Sequence, residues 1–277
     1  MSGIVWLASY PKSGNTWLRV LLTNYLRDTG EPADINHLLG GPGAGSRESF
    51  DQWAGIEGSA LDPNVVDRLR PQVYRCVARD ADDTLFMKVH DAWTLVDTGE
   101  PMFPADVTLG VVYIIRNPLD LAGSCAHHWG TSIEAAVERM CGGSVERLAA
   151  LHGQLRQRVG SWSDHVRSWV DDSGGPVHVV RYEDLSVDPC RVFGGVVTSC
   201  GLGYDEDRVK NAVAFSSFAE LQRQEASAGF QERSTAAPGG FFRRGEVGSW
   251  CDELPNHMAE RLTAAHRETM ERYGYGS

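Results

Sequence analysis

Four apolar runs of strand length recur along the chain, and each stops at a polar residue able to do chemistry. Ile4–Ser9 stops at a Pro-Lys-Ser-Gly loop, residues 84–89 (TLFMKV) at His90, 109–115 at Arg116, and 177–180 at Arg181 and Tyr182. The runs are continuous rather than alternating, as strands buried on both faces of a parallel sheet require. They predict an α/β chain with a mostly parallel central sheet flanked by helices. In open sheets of this kind ligands bind outside the carboxyl ends of the strands. Lys12, His90, Arg116 and Tyr182 are therefore expected to face one crevice.

Helical patterns fill the intervals. Residues 15–28 place Trp17, Leu21, Leu22, Tyr25 and Leu26 at helical spacing, with Gly30 as a stop. Asn117 is a good N-cap and Pro118 a favoured first-turn residue, so a helix is expected from there to about His128. Residues 133–159, 163–171, 189–200 and 255–272 also read as helical. Trp162, His165 and Trp169 then share one helix face, which points to core or pocket wall. The glycine-rich stretch at 40–46 (GGPGAGS) follows no strand and reads as a flexible surface connection. With 277 residues, no internal repeat and no clear linker, the reading is a single domain over 1–277.

The first interval, YPKSGNTW, is the most specific. A helix N-terminus offers unpaired backbone N–H groups and a partial positive charge, a cradle for phosphate or sulfate. Here Ser13, Gly14, Asn15 and Thr16 can donate N–H groups, Thr16 a hydroxyl, and Lys12 a compact positive charge. The lysine precedes the glycine by two residues instead of following it, as it does in a Walker A loop. A nucleoside triphosphatase would next need an apolar strand ending in Asp for magnesium. The strands here end in His90 and Arg116 instead, so the cations come from side chains.

Composition narrows the partners. The net charge of -11 disfavours non-specific nucleic acid or anionic membrane, so an anionic ligand needs a local basic cluster. Six cysteines, none closer than ten residues to the next, have no zinc-knuckle spacing and read as reduced residues of a cytoplasmic protein. The five-residue apolar stretch 4–8 is far too short for a signal peptide or membrane span. His127 and His128, adjacent on a helix, point in different directions, and no metal is expected.

YPKSGNTW closely resembles the 5′-phosphosulfate loop, YPKSGTTW, of the sulfotransferases that use 3′-phosphoadenosine 5′-phosphosulfate (PAPS). Asn15 stands where threonine is commoner. Further segments match in order: FMKVH at 86–90 is similar to the Lys-x-His segment, and YIIRNPLDLAGS at 113–124 to the 3′-phosphate motif with Arg116 and Ser124. RYED at 181–184 resembles the segment whose tyrosine contacts adenine, and SSF at 216–218 the element on the far side of the base. FFRRGEVGSW at 241–250 resembles the C-terminal basic loop, with Arg244 in place of the usual lysine.

The resemblance implies a P-loop-like three-layer fold and in-line sulfuryl transfer from PAPS to an acceptor hydroxyl, leaving adenosine 3′,5′-bisphosphate (PAP), without a metal (EC 2.8.2.-). It implies His90 as general base, with Lys12 against the bridging oxygen and Lys88 near the travelling sulfuryl oxygens. Ser13, Gly14, Asn15 and Thr16 would hold the 5′-phosphate. Arg116, Ser124, Arg243, Arg244 and Gly245 would hold the 3′-phosphate. Trp17, Tyr182, Ser216 and Phe218 would surround adenine.

Asp91 departs from the commoner apolar residue or proline, and reads either as an orienting group for a cationic acceptor or as an exposed side chain. The opening GIVWLASYPKSGNTWLR is similar to actinobacterial enzymes that sulfate antibiotics and other secondary metabolites, which implies a small hydroxylated acceptor. The family's dimer motif is not visible after Trp250, leaving a homodimer an open question. Two rival readings are a P-loop kinase-like phosphotransferase and an inactive nucleotide-binding protein. Lys12, Lys88 and His90 together argue against the second.

Overall fold

The computed structural model describes residues 3–41, 43–142, 146–147, 153–234, 236–237 and 239–276. In chain order the elements are β1 (Ile4–Ser9), α1 (Asn15–Arg27), α2 (Arg47–Ala54), α3 (Pro63–Asp80), β2 (Leu85–Val89), β3 (Thr108–Ile115), α4 (Pro118–Trp129), α5 (Ile133–Gly142), β4 (Glu146–Arg147), β5 (Gln157–Arg158) and α6 (Trp162–Val170). They continue with β6 (Val177–Arg181), α7 (Tyr182–Val187), α8 (Pro189–Ser199), α9 (Glu206–Phe215), α10 (Phe218–Ala228), α11 (Trp250–Glu253) and α12 (Asn256–Arg272). The central sheet has the order β2-β1-β3-β6, and it is formed by the four apolar runs.

Backbone packing divides the chain into two units, each assembled from three segments. The first comprises Met1–Tyr10, Gly40–Tyr113 and Gly142–Val179. Here β1 pairs in parallel with β2, from Ile4 opposite Leu85 to Ala8 opposite Val89. Every residue of β1 is buried, which explains its lack of alternation. Trp6 anchors this core: its ring meets Tyr74 and Phe103 edge-on at 5.1 and 5.0 Å, and its Nε1 donates to Thr108 Oγ1 at 2.9 Å. Truncating so large a buried ring to alanine costs about 3–5 kcal/mol. Trp162, His165 and Trp169 are all core residues.

The second unit comprises Pro11–Leu39, Ile114–Cys141 and Val180–Ser277. Its α1 contributes Val20 to a cluster with Ile35, Leu38, Leu221, Phe230 and Phe242, against which Trp17 and Phe218 pack. The entry to α4 follows the expected chemistry: the Asn117 side chain accepts from Leu119 N–H at 3.0 Å, with Pro118 at the first turn. Among the described residues no helix is long and apolar enough to cross a membrane.

Three expectations are corrected. The reading of one helix over 133–159 holds for Ile133–Gly142 only: Glu146–Arg147 and Gln157–Arg158 are strands β4 and β5, paired antiparallel, and residues 143–145 and 148–152 lie outside the described residues. The segment 40–46 is not a loose surface connection: residues 43–46 are buried, and Ala44 N–H donates to the Lys88 carbonyl at 2.8 Å. Asp91 is neither exposed nor placed for a cationic acceptor, because Arg70 occupies its carboxylate.

Candidate functional site

The loop from Pro11 into α1 begins with Lys12 at φ 71° and Gly14 at φ 106°. Gly14 is the N-cap residue, and no side chain caps the helix. A Cβ on Gly14 would lie 2.6 Å from the Tyr182 ring, so both the left-handed backbone and the ring demand glycine. A helix start without a side-chain cap leaves its first backbone N–H groups to other acceptors, as an anion site requires. Ser13 Oγ is buried with no hydrogen-bond partner among the described residues, a donor that an anion oxygen would satisfy.

Tyr182 organises the rest of this unit's candidate residues. The Arg116 guanidinium lies over its ring, 4.2 Å from the centroid, and Trp17 meets the ring edge-on at 5.7 Å. The Tyr182 hydroxyl donates to the Gly245 carbonyl at 2.9 Å, and Arg116 Nη2 donates to the Glu246 carbonyl at 2.8 Å. Burial pushes the Tyr182 phenol pKa up, against the opposing pull of Arg116, so the hydroxyl stays a donor. Arg116 Nε is buried without a partner among the described residues, a second donor suited to a phosphate oxygen.

Phe218 lies under Gly245, where a Cβ would come within 2.6 Å of its ring. Trp17 Nε1 donates to the Ser216 carbonyl at 2.9 Å, and Asn24 Nδ2 to the Ser216 hydroxyl at 3.1 Å. Tyr182 and Phe218 thus meet at the peptide of Gly245, with Trp17 against the Tyr182 ring and Ser216 bonded to Trp17. The expected tyrosine hydroxyl is spent on that peptide, a role its sequence context does not reveal.

The basic loop is held by acids. Arg244 pairs with Glu253, and Arg243 Nη2 is 3.8 Å from the same carboxylate. Glu253 Oε2 lies 2.6 Å from where a Cβ of Gly123 would be, beside Ser124 on α4. A carboxylate thus sits against two of the residues expected at the 3′-phosphate, Arg243 and Arg244. Asp120, buried on α4, accepts from Gly248 N–H at 2.9 Å and Trp250 N–H at 3.1 Å. Glu225 accepts from the N–H groups of Phe241 at 2.5 Å and Phe242 at 2.9 Å. Lys12 Nζ lies 3.6 Å over the ring of Phe241. Asp120, Glu225 and Glu253 were missed by sequence reasoning; the only hint was acids flanking a basic loop.

Lys88 and His90 belong to the first unit. His90 follows β2, and its Nδ1 is 2.9 Å from the Ser9 carbonyl and 3.3 Å from the Ser9 hydroxyl. A carbonyl only accepts, so Nδ1 carries the proton and Nε2 the lone pair in the neutral ring. Behind it, His165 Nε2–H donates to the His90 carbonyl at 3.2 Å, and Tyr113 O–H donates to His165 Nδ1 at 2.8 Å. Burial pulls the His165 pKa down to about 4, so this ring is neutral and its tautomer opposite to that of His90.

A family model described as the sulfotransferase domain matches residues 3–274. Sulfotransferase 2A1 of Rattus norvegicus is 26% identical over 267 residues, covering 95% of this chain and 83% of the relative. Cytosolic sulfotransferase 13 of Arabidopsis thaliana is 25% identical over 277 residues, covering 95% and 76%. In fold, the chain is similar to mouse sulfotransferase SULT7A1 complexed with PAP, with TM-score 0.63, 20% identity and coverage of 99% and 86%. Retinol dehydratase in complex with androsterone and PAP aligns with TM-score 0.64, 18% identity and coverage of 96% and 80%. The family match spans both units and every motif described above, and this chain belongs to the sulfotransferase family.

Proposed function

We propose that this protein transfers a sulfuryl group from PAPS to a hydroxyl of a small-molecule acceptor, a secondary metabolite. The observation that carries this reading is the Pro11–Trp17 turn, where Gly14 starts α1 without a side-chain cap and Ser13 Oγ is buried without a partner among the described residues. Family membership and the PAP held by the mouse sulfotransferase and retinol dehydratase structures support the donor. In the reaction the acceptor oxygen bonds to sulfur as the bond from sulfur to the bridging oxygen breaks, giving a sulfate ester and PAP.

The residues divide the work. Ser13, Gly14, Asn15 and Thr16 bind the 5′-phosphate through the helix N-terminus, and Lys12 stabilises charge building on the bridging oxygen. Lys88 stabilises the sulfuryl oxygens. Arg116, Ser124, Arg243, Arg244 and Gly245 bind the 3′-phosphate, the arginines by their planar forks. Trp17, Tyr182, Ser216 and Phe218 enclose the base. His90 Nε2 accepts the acceptor's hydroxyl proton, as its tautomer allows. A cytoplasmic location follows the naming of the Arabidopsis relative.

The test is a thermal-shift comparison of PAP with Mg-ATP, followed by transfer from PAPS to 2-naphthol in excess EDTA. Stabilisation by PAP and metal-independent sulfation are expected. Stabilisation by Mg-ATP alone would instead support the phosphotransferase reading, and activity restored only by magnesium would overturn the metal-free mechanism.

A further inference from the structure

The backbone that carries His90 is held by a buried ion pair to which the proposed chemistry gives no role. Asp91 is 0% exposed, and its carboxylate takes Arg70 Nη1 at 3.2 Å and Nη2 at 2.9 Å. Asp91 Oδ1 also accepts the backbone N–H of Arg158 at 2.9 Å, and the Asp91 carbonyl accepts Trp169 Nε1–H at 2.9 Å. Ala92 N–H donates to the Arg158 carbonyl at 2.6 Å, and the His90 carbonyl is held by His165. The peptides around His90 are therefore tied to α3, β5 and α6 at successive polar atoms.

A buried ion pair is rarely a better source of stability than an apolar pair of the same volume. Arg70 and Asp91 are both fully enclosed, so neither is open to bulk solvent. What the fork does supply is direction: two parallel N–H···O bonds permit one orientation of the Asp91 side chain and hence of the peptide before it. A misplacement of about 1 Å at a reacting group can cost about 10²-fold in rate.

We infer that Arg70 and Asp91 form a positioning pair for His90, fixing the 90–91 peptide so that the imidazole keeps Nδ1 on the Ser9 carbonyl and Nε2 as proton acceptor. The catalytic half of this inference rests on His90 being the base. The tautomer half does not.

Two variants of the full chain test it. Asp91→Asn keeps an acceptor for the Arg158 N–H but loses the charge. Arg70→Met with Asp91→Leu replaces the pair by apolar side chains, leaving Asp67 with Arg156 and Arg158. For each, PAP affinity is measured by calorimetry, kcat and KM with PAPS and 2-naphthol, and the His90 tautomer by long-range ¹H–¹⁵N spectra of ¹⁵N-histidine-labelled protein, assigned with His90→Ala. The expected result is PAP affinity within about twofold of wild type, kcat lower by about 10- to 100-fold, and loss of the single Nδ1–H pattern at His90. A folded variant of either kind with an unchanged tautomer pattern and wild-type kcat overturns the inference. Should the wild type transfer no sulfate, or His90→Ala keep its kcat, the catalytic reading fails while the spectra still decide whether the pair sets the ring.

Discussion

The guanidinium of Arg116 rests on the face of Tyr182, 4.2 Å from the ring centroid, while the Tyr182 hydroxyl holds the Gly245 carbonyl at 2.9 Å. One side chain thereby sets both a strand-end cation and the glycine of the basic loop. Tyr182→Phe removes only the hydrogen bond, worth about 1 kcal/mol, and should weaken PAP binding by about fivefold. Tyr182→Leu also removes the seat of Arg116 and should weaken it by more than tenfold. Calorimetric titration with PAP distinguishes the two.

Glu253 competes with the proposed 3′-phosphate for Arg244 and Arg243. Glu253→Gln should tighten PAP binding by about three- to tenfold at low ionic strength, with the gain shrinking at high salt because these groups are partly exposed. Arg244→Ala should weaken binding and flatten its salt dependence. Titrations at two salt concentrations check both outcomes.

Asp120 takes two backbone N–H groups from residues that follow the basic loop. Asp120→Ala leaves both donors without their acceptor and should cost about 1–3 kcal/mol of stability. It should also lower PAP affinity, since the loop loses its tether to α4. Urea unfolding and calorimetry measure the two effects separately.

His165 makes stability depend on pH. Its folded pKa of about 4 lies below the unfolded value near 6.5, so the unfolded chain takes up the proton first as pH falls. The stability tied to the neutral ring is complete above about pH 6.5 and lost on the way down to about pH 4. Between pH 7.5 and 5 this residue alone should remove about 2 kcal/mol. Urea midpoints of wild type and His165→Gln across that range should show a shallower slope in the variant.

Much of this architecture is legible in the residue order. The continuous runs mark the strands, and Asn117-Pro118 and Gly14 mark helix starts, because those signals are local backbone chemistry. Partners of buried polar groups are not local. Asp91 reads as a surface or ligand-facing acid until Arg70, a turn-and-strand away in α3, is seen to enclose it. Segment 40–46 reads as loose because glycine permits mobility, yet its Ala44 N–H is bonded to β2. Glu225, Asp120 and Glu253 escape notice for the same reason: what they hold is backbone and loop, and periodicity carries no trace of it.

Gly14 and Tyr182 also constrain how such a chain can change over generations. A side chain at 14 would strike the ring at 182, and a smaller group at 182 would unseat Arg116. Neither position can drift alone without a penalty at the other, so the admissible substitutions come as ordered sets. Mutational paths through this loop are consequently narrow, and the epistasis is written in the contact between one missing methyl and one aromatic face.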